Sequence, residues 1–492
     1  MLCFYNTLTA RKEPFSPLEA GQVRMYTCGP TVYEYAHLGN FRTFISQDIL
    51  RRYLKYKGFR MMHVMNYTDV DDKTIRNARE AGLELRAYTE KFIEAFQVDC
   101  RLLEIETPET VVRATDHIDD MAKMVEGLVA KGHAYHSDNS TYFRISSFPA
   151  YGRLSRIDLS GMKAGARVDQ DEYEKDDVRD FVLWKASKPG EPCWDTSFGC
   201  GRPGWHLECS VMSMKYLGES FDIHAGGTDL IFPHHENEIA QSESLTGKPF
   251  VRTWVHVEHL LVEGKKMAKS AGNFYTLRDL LRKGYKPSAI RYLLASVPHR
   301  KQLNFTFDAL HQAQQSLERL RNFEYRLQKE TFAPGEDPDL NRRATEAKQK
   351  FEEAMDDDLN TARAFAAVFD LVRDGNTAMD ESRFQQGNIK ACLEMLEVWD
   401  HIFGALPDDD HKKLTELDFM QPDSKSGSGG DGSASRATTA ALSDSEIEAR
   451  IGEREQARRA RDFARADEVR KVLDRAGIII EDTKVGTRWK RK

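Results

Sequence analysis

The sequence predicts an α/β chain: a parallel-sheet domain interrupted by an insertion, then a helix bundle and a small C-terminal unit. Three observations predict it. A strand–helix–strand pattern spans residues 23–66, the pattern is helical throughout from about 305 to 405, and residues 421–443 carry almost no large apolar side chains before a last segment, 444–492. At 492 residues the chain exceeds what one core supports, so several domains are expected.

Val23, Met25 and Tyr26 mark a first strand, 23–27, with Cys28 at its end. The turn Gly29-Pro30 follows, and His37, Gly39 and Asn40 sit where a helix should begin. A strand, a glycine turn and a helix start together present backbone N–H groups to a phosphate. Phe41, Phe44, Ile45, Ile49, Leu50 and Tyr53 recur at helical spacing over 41–57, and Gly58 ends the run. Residues 60–66 read as a second strand, with Thr68 to Asp72 beyond its C-terminal end. Such a βαβ unit implies a parallel sheet with a right-handed crossover, and ligands of such sheets bind beyond the carboxyl ends of the strands. Cys28 and the Thr68-Asp69 turn both fall there.

Residues 73–132 read as mainly helical. Residues 133–200 change character, with Gly-Pro-Ser turns, an acidic run from Asp169 to Asp177 and a strand-like piece at Ser140 to Ile145; this is the expected insertion. Gly204 to Gly218 is helical, Phe221 to Gly227 is a strand entering a glycine turn, and Pro233 is expected to open a helix. Residues 253–263 alternate, and the lysine-rich loop Gly264 to Ser270 comes next. Residues 305–405 should form a helix bundle. Residues 421–443 read as a flexible linker, and 444–482 as a small amphipathic helical unit. The tail Thr487 to Lys492 is basic and carries Trp489.

Composition excludes several classes. The net charge of −7 argues against a uniformly basic nucleic-acid binder, so such contacts must be local; from Glu448 onward 14 Lys/Arg stand against 9 Asp/Glu. No run of 18 apolar residues implies no membrane span, and the N-terminus has neither the basic nor the apolar region of a secretory signal. Seven scattered cysteines without such a signal point to a reducing, cytoplasmic compartment, with some thiols bound to metal.

Four groups of residues have chemistry to offer. Cys28, Cys209, His234 and Glu238 make a tetrahedral zinc set, His234 and Glu238 sharing one helix face; on the residues alone, His235 and Glu236 compete for the same roles, and buried thiols beside a charged helix start would look alike. His37 to Asn40 and Gly226 to Asp229 suit a nucleotide, although short glycine turns are common. Lys265, Lys266 and Lys269 could neutralise charge on a transferring phosphate, or simply be a solvated loop. Trp489 among cations could stack on a base of a nucleic acid.

Taken together and in order, CGPTVYEYAHLGNFRT, NYTDVDDK, GRPGWHLECS, FDIHAGGTDLIFPHHENEIAQS and KKMAKSAGNF closely resemble the class I cysteinyl-tRNA synthetases. AMDDDLNTARA and IIIEDTKVGTRWKRK extend the resemblance to the chain's end, and it falters only over 406–443. It implies a Rossmann-type catalytic domain (1–132 and 201–255) around a connective insertion (133–200). A stem-contact region with the KMSKS loop (256–304), a helical bundle (305–405), a linker (406–443) and an anticodon-binding domain (444–492) complete it. It also implies zinc, one per subunit, on Cys28, Cys209, His234 and Glu238. ATP, with Mg2+, is expected on Gly29, Thr31, His37, Gly39, Asn40, Gly227, Asp229 and Lys269. Cysteine is expected beside Cys28, Thr68, Trp205 and His224, and the tRNA(Cys) anticodon region beside Trp489.

HLGN stands where the family has HIGH and KMAKS where it has KMSKS, so His37, Asn40, Lys266 and Lys269 take the catalytic positions, with Ser270 beside them. Ala268 replaces a serine, with a small effect expected; Asn40 replaces a histidine, which shifts the transition-state role toward His37 and Lys269. The implied reaction joins L-cysteine and ATP as cysteinyl-adenylate, releases pyrophosphate, and passes cysteine to the 3′ end of tRNA(Cys) without a protein nucleophile. A hydrophobic pocket separates near-isosteric substrates by only about 1–3 kcal/mol, whereas zinc prefers sulfur over a hydroxyl. A monomer is expected. Two other readings are an amino-sugar cysteine ligase of the mycothiol type, against which 444–492 argue, and a non-catalytic RNA-binding paralogue, against which the intact motifs argue.

Overall fold

The structure is a computed structural model that describes residues 1–157, 180–417, 419, 444–460, 462–483 and 486–491. The acidic run Asp169 to Asp177 and the linker 421–443 lie outside the described residues. Two compact units divide the chain, Met1–Met420 and Gln421–Lys492.

The first unit begins with a hairpin, β1 (Cys3–Asn6) and β2 (Arg11–Pro14). The predicted βαβ unit comes next as β3 (Gln22–Thr27), α1 (Leu38–Tyr56) and β4 (Arg60–Tyr67). The chain returns through α2 (Asp72–Glu80) and α3 (Leu85–Leu102) to β5 (Thr110–Arg113), then continues into α4 (Ile118–Ala130). The strand β5 corrects the reading of 73–132 as mainly helical; its four residues are too few for a period-2 pattern to declare itself.

A second sheet consists of β6 (Ala134–Ser137), β7 (Ser140–Phe143), β8 (Phe181–Ala186), β9 (Trp194–Thr196) and β10 (Gly199–Pro203), ordered β6-β7-β8-β10-β9. Helix α5 (Trp205–Leu217), β11 (Phe221–Gly227), α6 (Glu236–Thr246) and β12 (Val251–Val257) then complete the main sheet. Its order is β12-β11-β3-β4-β5, with every neighbouring pair parallel. Ala225 pairs with Thr27, and Thr27 with Met65, so the carboxyl ends of β11, β3 and β4 lie side by side. The chain first steps from β3 to β4 and later places β11 on the other side of β3. A crevice at such a switch point is where doubly wound sheets bind ligands.

Helix α6 corrects the expected start at Pro233. The Phe232–Pro233 peptide is cis, Phe232 has strand-like dihedrals, and the regular helix begins only at Glu236. Beyond the sheet, β13 (Leu260–Val262), β14 (Lys265–Lys266) and β15 (Leu303–Phe305) form a small sheet, with α7 (Leu277–Arg282) and α8 (Pro287–Ala295) between. The bundle consists of α9 (Phe307–Lys329), α10 (Pro338–Asp356), α11 (Thr361–Asp380) and α12 (Ile389–Phe403), followed by α13 (Asp410–Glu416). Apolar side chains such as Leu317, Phe351, Phe365 and Trp399 bury one stripe of each long helix.

The second unit pairs α14 (Asp444–Arg459) and α15 (Phe463–Arg475) with a hairpin, β16 (Ile478–Thr483) and β17 (Gly486–Arg491). Its small core is Ile447, Ile451, Val469, Leu473 and Ile478. The basic tail is therefore a strand rather than a free end, and the Trp489 ring packs against that core.

Candidate active site and metal centre

The strand β3 delivers Cys28 to the crevice, and the tight turn after it needs Gly29. A Cβ there would lie 1.6 Å from the Asn66 carbonyl oxygen, so only glycine lets β3 and β4 end so close together. Asn66 Oδ1 accepts from Gly29 N at 3.0 Å, while its Nδ2 donates to Thr68 Oγ1 at 3.1 Å. Thr68 in turn donates to Glu208 Oε2 at 2.9 Å, so the ends of β3 and β4 and the first turns of α5 form one network.

Cys209 of α5 meets Cys28 with its sulfurs 3.8 Å away. His234 Nε2 lies 3.0 Å from Glu238 Oε1 and Cys28 Sγ lies 4.0 Å from the same oxygen. Cys209 and His234 interact electrostatically, each favouring the other's charged form, and this completes the group of four. His235 is present too: its Nε2 stands 3.4 Å from Cys28 Sγ, and ligand atoms of Cys28, His234, His235 and Glu238 all lie within 4.8 Å of one another. Spacing leaves the two histidines open, and the structure brings both to the cluster, with Cys209 standing at its edge against Cys28.

The surroundings orient these donors. His234 Nδ1 is 2.9 Å from His206 Nδ1, and His235 Nδ1 is 2.8 Å from His256 Nε2, so each of these two rings turns Nε2 inward. His224 Nε2 lies 2.9 Å from Glu238 Oε2 and leaves Oε1 for the centre. Electrostatics favours anionic donors here. Burial opposes the Glu238 charge, yet His224 and His234 hold its carboxyl down at about 2. Burial likewise opposes charge on His234, but Glu238 and Cys209 raise it to about 10. Burial pushes the Cys28 thiol up, whereas Cys209, despite its burial, is drawn down to about 6 by the Cys28 S–H and His234.

The donor chemistry fits zinc. Two sulfurs bound at 2.3 Å to one tetrahedral ion lie about 3.8 Å from each other, as Cys28 and Cys209 do. His234 Nε2 is buried, lies near Glu238 without being aligned for a hydrogen bond to it, and is the orphan a metal would satisfy.

The residues expected at the nucleotide lie at the start of α1 and the end of β11. His37 caps α1 in a reciprocal pair with Asn40: His37 N donates to Asn40 Oδ1 at 3.0 Å, and Asn40 N donates to His37 Nδ1 at 3.2 Å. An Nδ1 that accepts carries no proton, so the ring proton sits on Nε2, the free end. Burial holds His37 below its ordinary pKa despite Asp229 and Glu34, which keeps it neutral at pH 7. The Asn40 side chain is taken up by the cap. Gly39 lies under the His37 ring and Met267, where a Cβ would meet atoms at 3.0 and 3.3 Å. Thr31 bridges to Thr68, and Asp229 follows Gly227 at the end of β11.

The lysine loop docks against this helix start. Leu38 N donates to Tyr275 O at 3.0 Å, and His37 bridges to Thr276. The Phe274 ring lies 5.3 Å from both the His37 ring and the Lys269 ammonium. Lys269 Nζ rests on the Glu34 carboxylate, while Lys266 is exposed on β14.

Not every predicted residue faces a pocket. Trp205 is half-exposed and stacks on His234 at 4.2 Å between centroids, but His224 is fully buried behind Glu238 and stacked on Trp254. Sequence reasoning missed Glu34, His206, His256 and Phe274, whose parts depend on contacts across the fold. Only the two histidines carried a signal, as polar residues inside apolar segments.

Known proteins resemble this chain in sequence and in fold. Residues 14–315 match the family described as tRNA synthetases class I (C) catalytic domain, and residues 350–406 match the DALR domain. The solved Mycobacterium tuberculosis methionyl-tRNA synthetase bound to methionyl-adenylate has TM-score 0.59 at 16% identity, covering 80% of this chain and 93% of that one. The ternary complex of Agrobacterium radiobacter K84 agnB2 LeuRS with tRNA and LeuAMS gives 0.57 at 11% identity, over 82% and 86%. Fold and matched domains thus define a class I aminoacyl-tRNA synthetase. Among curated relatives, the cysteine–tRNA ligase of Koribacter versatilis is 56% identical over 490 residues, 99% of each chain, and that of Solibacter usitatus 56% over 491, the full length of both. That of Leptospira interrogans is 44% identical over 500 residues, 99% of each. The chain belongs to the cysteine–tRNA ligase family.

Proposed function

We propose that this protein activates L-cysteine with ATP, accompanied by Mg2+, to cysteinyl-adenylate and pyrophosphate, then transfers cysteine to the 3′ end of tRNA(Cys). One observation carries the finer part of this reading: the ring of Cys28, Cys209, His234 and Glu238 at the carboxyl end of β3, nine residues from His37 at the start of α1.

Zinc held by these four residues would supply a soft Lewis acid for the substrate sulfur, which a serine hydroxyl satisfies poorly. Trp205, stacked on His234, and Thr68, fixed by Glu208 and Asn66, bound the space where cysteine would sit. His37 offers Nε2–H to the phosphates of ATP, and the start of α1 adds backbone N–H groups. Gly227 permits close approach at the end of β11, with Asp229 for ribose hydroxyls. Lys269 would leave Glu34 to meet charge developing on the α-phosphate as the cysteine carboxylate attacks it. Lys266 supports the loop that carries Lys269. The chain's part is positioning and charge stabilisation, with no side chain acting as nucleophile. The second unit, with Trp489, is the candidate tRNA anticodon contact.

Cysteine-dependent ATP–pyrophosphate exchange, followed by aminoacylation of total tRNA, tests both steps. Exchange without charging would restrict the function to activation, and no exchange would reject it.

A further inference from the structure

Five of the seven cysteines are wholly or partly buried; Cys193 and Cys200 are exposed. Cys193 immediately precedes β9 and Cys200 lies within β10, in a hairpin where Trp194 pairs with Gly201, Asp195 with Cys200, and Thr196 with Gly199. The ladder brings their Cα atoms to 5.6 Å, inside the range a disulfide requires, and the two sulfurs are bonded. We infer that Cys193 and Cys200 are a reversible thiol–disulfide pair, exchanging with small thiols and disulfides, that fixes the hairpin leading into α5.

Three features support reversibility and consequence. The cysteines are only seven positions apart, and closing so short a loop removes little chain entropy, so the bond adds modest stability. Exposed disulfides are the labile ones, reached directly by an attacking thiolate. The hairpin is also coupled to α5. A Cβ on Gly201 would meet the Lys185 carbonyl oxygen at 2.4 Å and Trp184 Nε1 at 2.6 Å, so β10 has one path across β8. That path ends at Pro203, and Trp205, stacked on His234, opens α5 two residues later.

The exchange balances with one small disulfide as oxidant. The protein dithiol gives up two electrons and two protons, one S–S bond forms between Cys193 and Cys200, and the S–S bond of the small disulfide breaks to release two thiols. A protein whose substrate is itself a thiol would in this way carry a report of the surrounding thiol–disulfide ratio.

The test uses the zinc-loaded full chain in glutathione buffers of graded oxidised fraction. Free thiols are blocked by alkylation and the 193–200 peptides mapped by mass. Hydrogen exchange of residues 194–205 is followed in the same samples. The expected result is a pair that oxidises and is reduced again as the buffer is reversed, with slower amide exchange in the oxidised state and no such change in Cys200→Ser. A pair that stays reduced under oxidised glutathione, a bond that leaves hydrogen exchange over 194–205 unchanged, or a second zinc held by Cys193, Asp195 and Cys200 would overturn it. A shift in the cysteine KM of at least about twofold should accompany oxidation, small beside the roughly hundredfold that a 1 Å misplacement can cost. That last readout rests on Trp205 lying at the cysteine site: an unchanged KM in Trp205→Ala faults that placement, whereas the redox mapping and hydrogen exchange are read without it.

Discussion

Cys28 Sγ and Cys209 Sγ stand 3.8 Å apart although 181 residues separate them in the chain. The separation is set by a strand end and a helix face, both held by Asn66, whose Oδ1 accepts from Gly29 N and lies 3.8 Å from Cys209 Sγ. Replacing either cysteine by serine should remove zinc and cysteine-dependent exchange together. Exchange should fall by at least about a hundredfold, since loss of an outer-shell partner alone reaches 10–100-fold. Metal analysis and exchange on the same preparations check this; retained zinc with normal exchange in both variants would refute the ligand assignment.

His206 and His234 face each other through Nδ1 at 2.9 Å. His206→Ala should leave the four donors in place but let the His234 ring turn. Zinc affinity is then expected to drop about 10–100-fold, measured by competition with a chelator. An unchanged affinity would show that the buried pocket alone holds the ring.

Lys269 Nζ rests on the Glu34 carboxylate. Both side chains are substantially exposed, so the pair is worth at most about 1 kcal/mol, or roughly fivefold in an equilibrium. Glu34→Gln should therefore lower the KM for ATP by no more than about fivefold and weaken its dependence on salt. A KM that rises instead would make Glu34 part of the ATP site.

Much of this region was legible in the sequence because its signals are local. The strand before Cys28, the helix after His37 and the strand before Thr68 each declare a period over six or more residues. What was not legible depends on long-range contact. Spacing cannot choose between His234 and His235, because they are consecutive and the turn at Phe232–Pro233 is not helical. Glu34 and Phe274 look like ordinary surface and loop residues until the lysine loop folds onto the helix start. The strand Thr110–Arg113 is too short to show a pattern, and the pairing of Ile480 with Trp489 is a contact between two strands, not a pattern within one.

Buried histidines should shape the acid limb of stability. Burial lowers His63 to about 3 and His299 to about 4 from an ordinary 6.5. Each stays neutral in the folded chain while the unfolded chain takes up a proton below pH 6.5. Their contribution is therefore complete above 6.5 and lost as pH falls toward 4 and 3, by up to about 1.4 kcal/mol per pH unit each. His299→Gln should shallow the fall of the main urea-unfolding transition between pH 6 and 4.5 by close to one proton. An identical slope in the variant would contradict the neutral assignment.

Trp489 packs against the core of the second unit from β17. Trp489→Ala is expected to leave cysteine-dependent exchange unchanged and to lower aminoacylation of tRNA. Equal loss in both assays would argue against a tRNA-contact role for that unit.

The most direct measurement is ATP–pyrophosphate exchange with cysteine and serine in parallel, on protein as prepared, after zinc is chelated, and after zinc is restored. The expected result is exchange with cysteine, none above background with serine, loss of the cysteine signal on chelation and its return with zinc. Undiminished cysteine exchange in folded, zinc-free protein would contradict the assignment of Cys28, Cys209, His234 and Glu238 as the centre that selects the substrate sulfur.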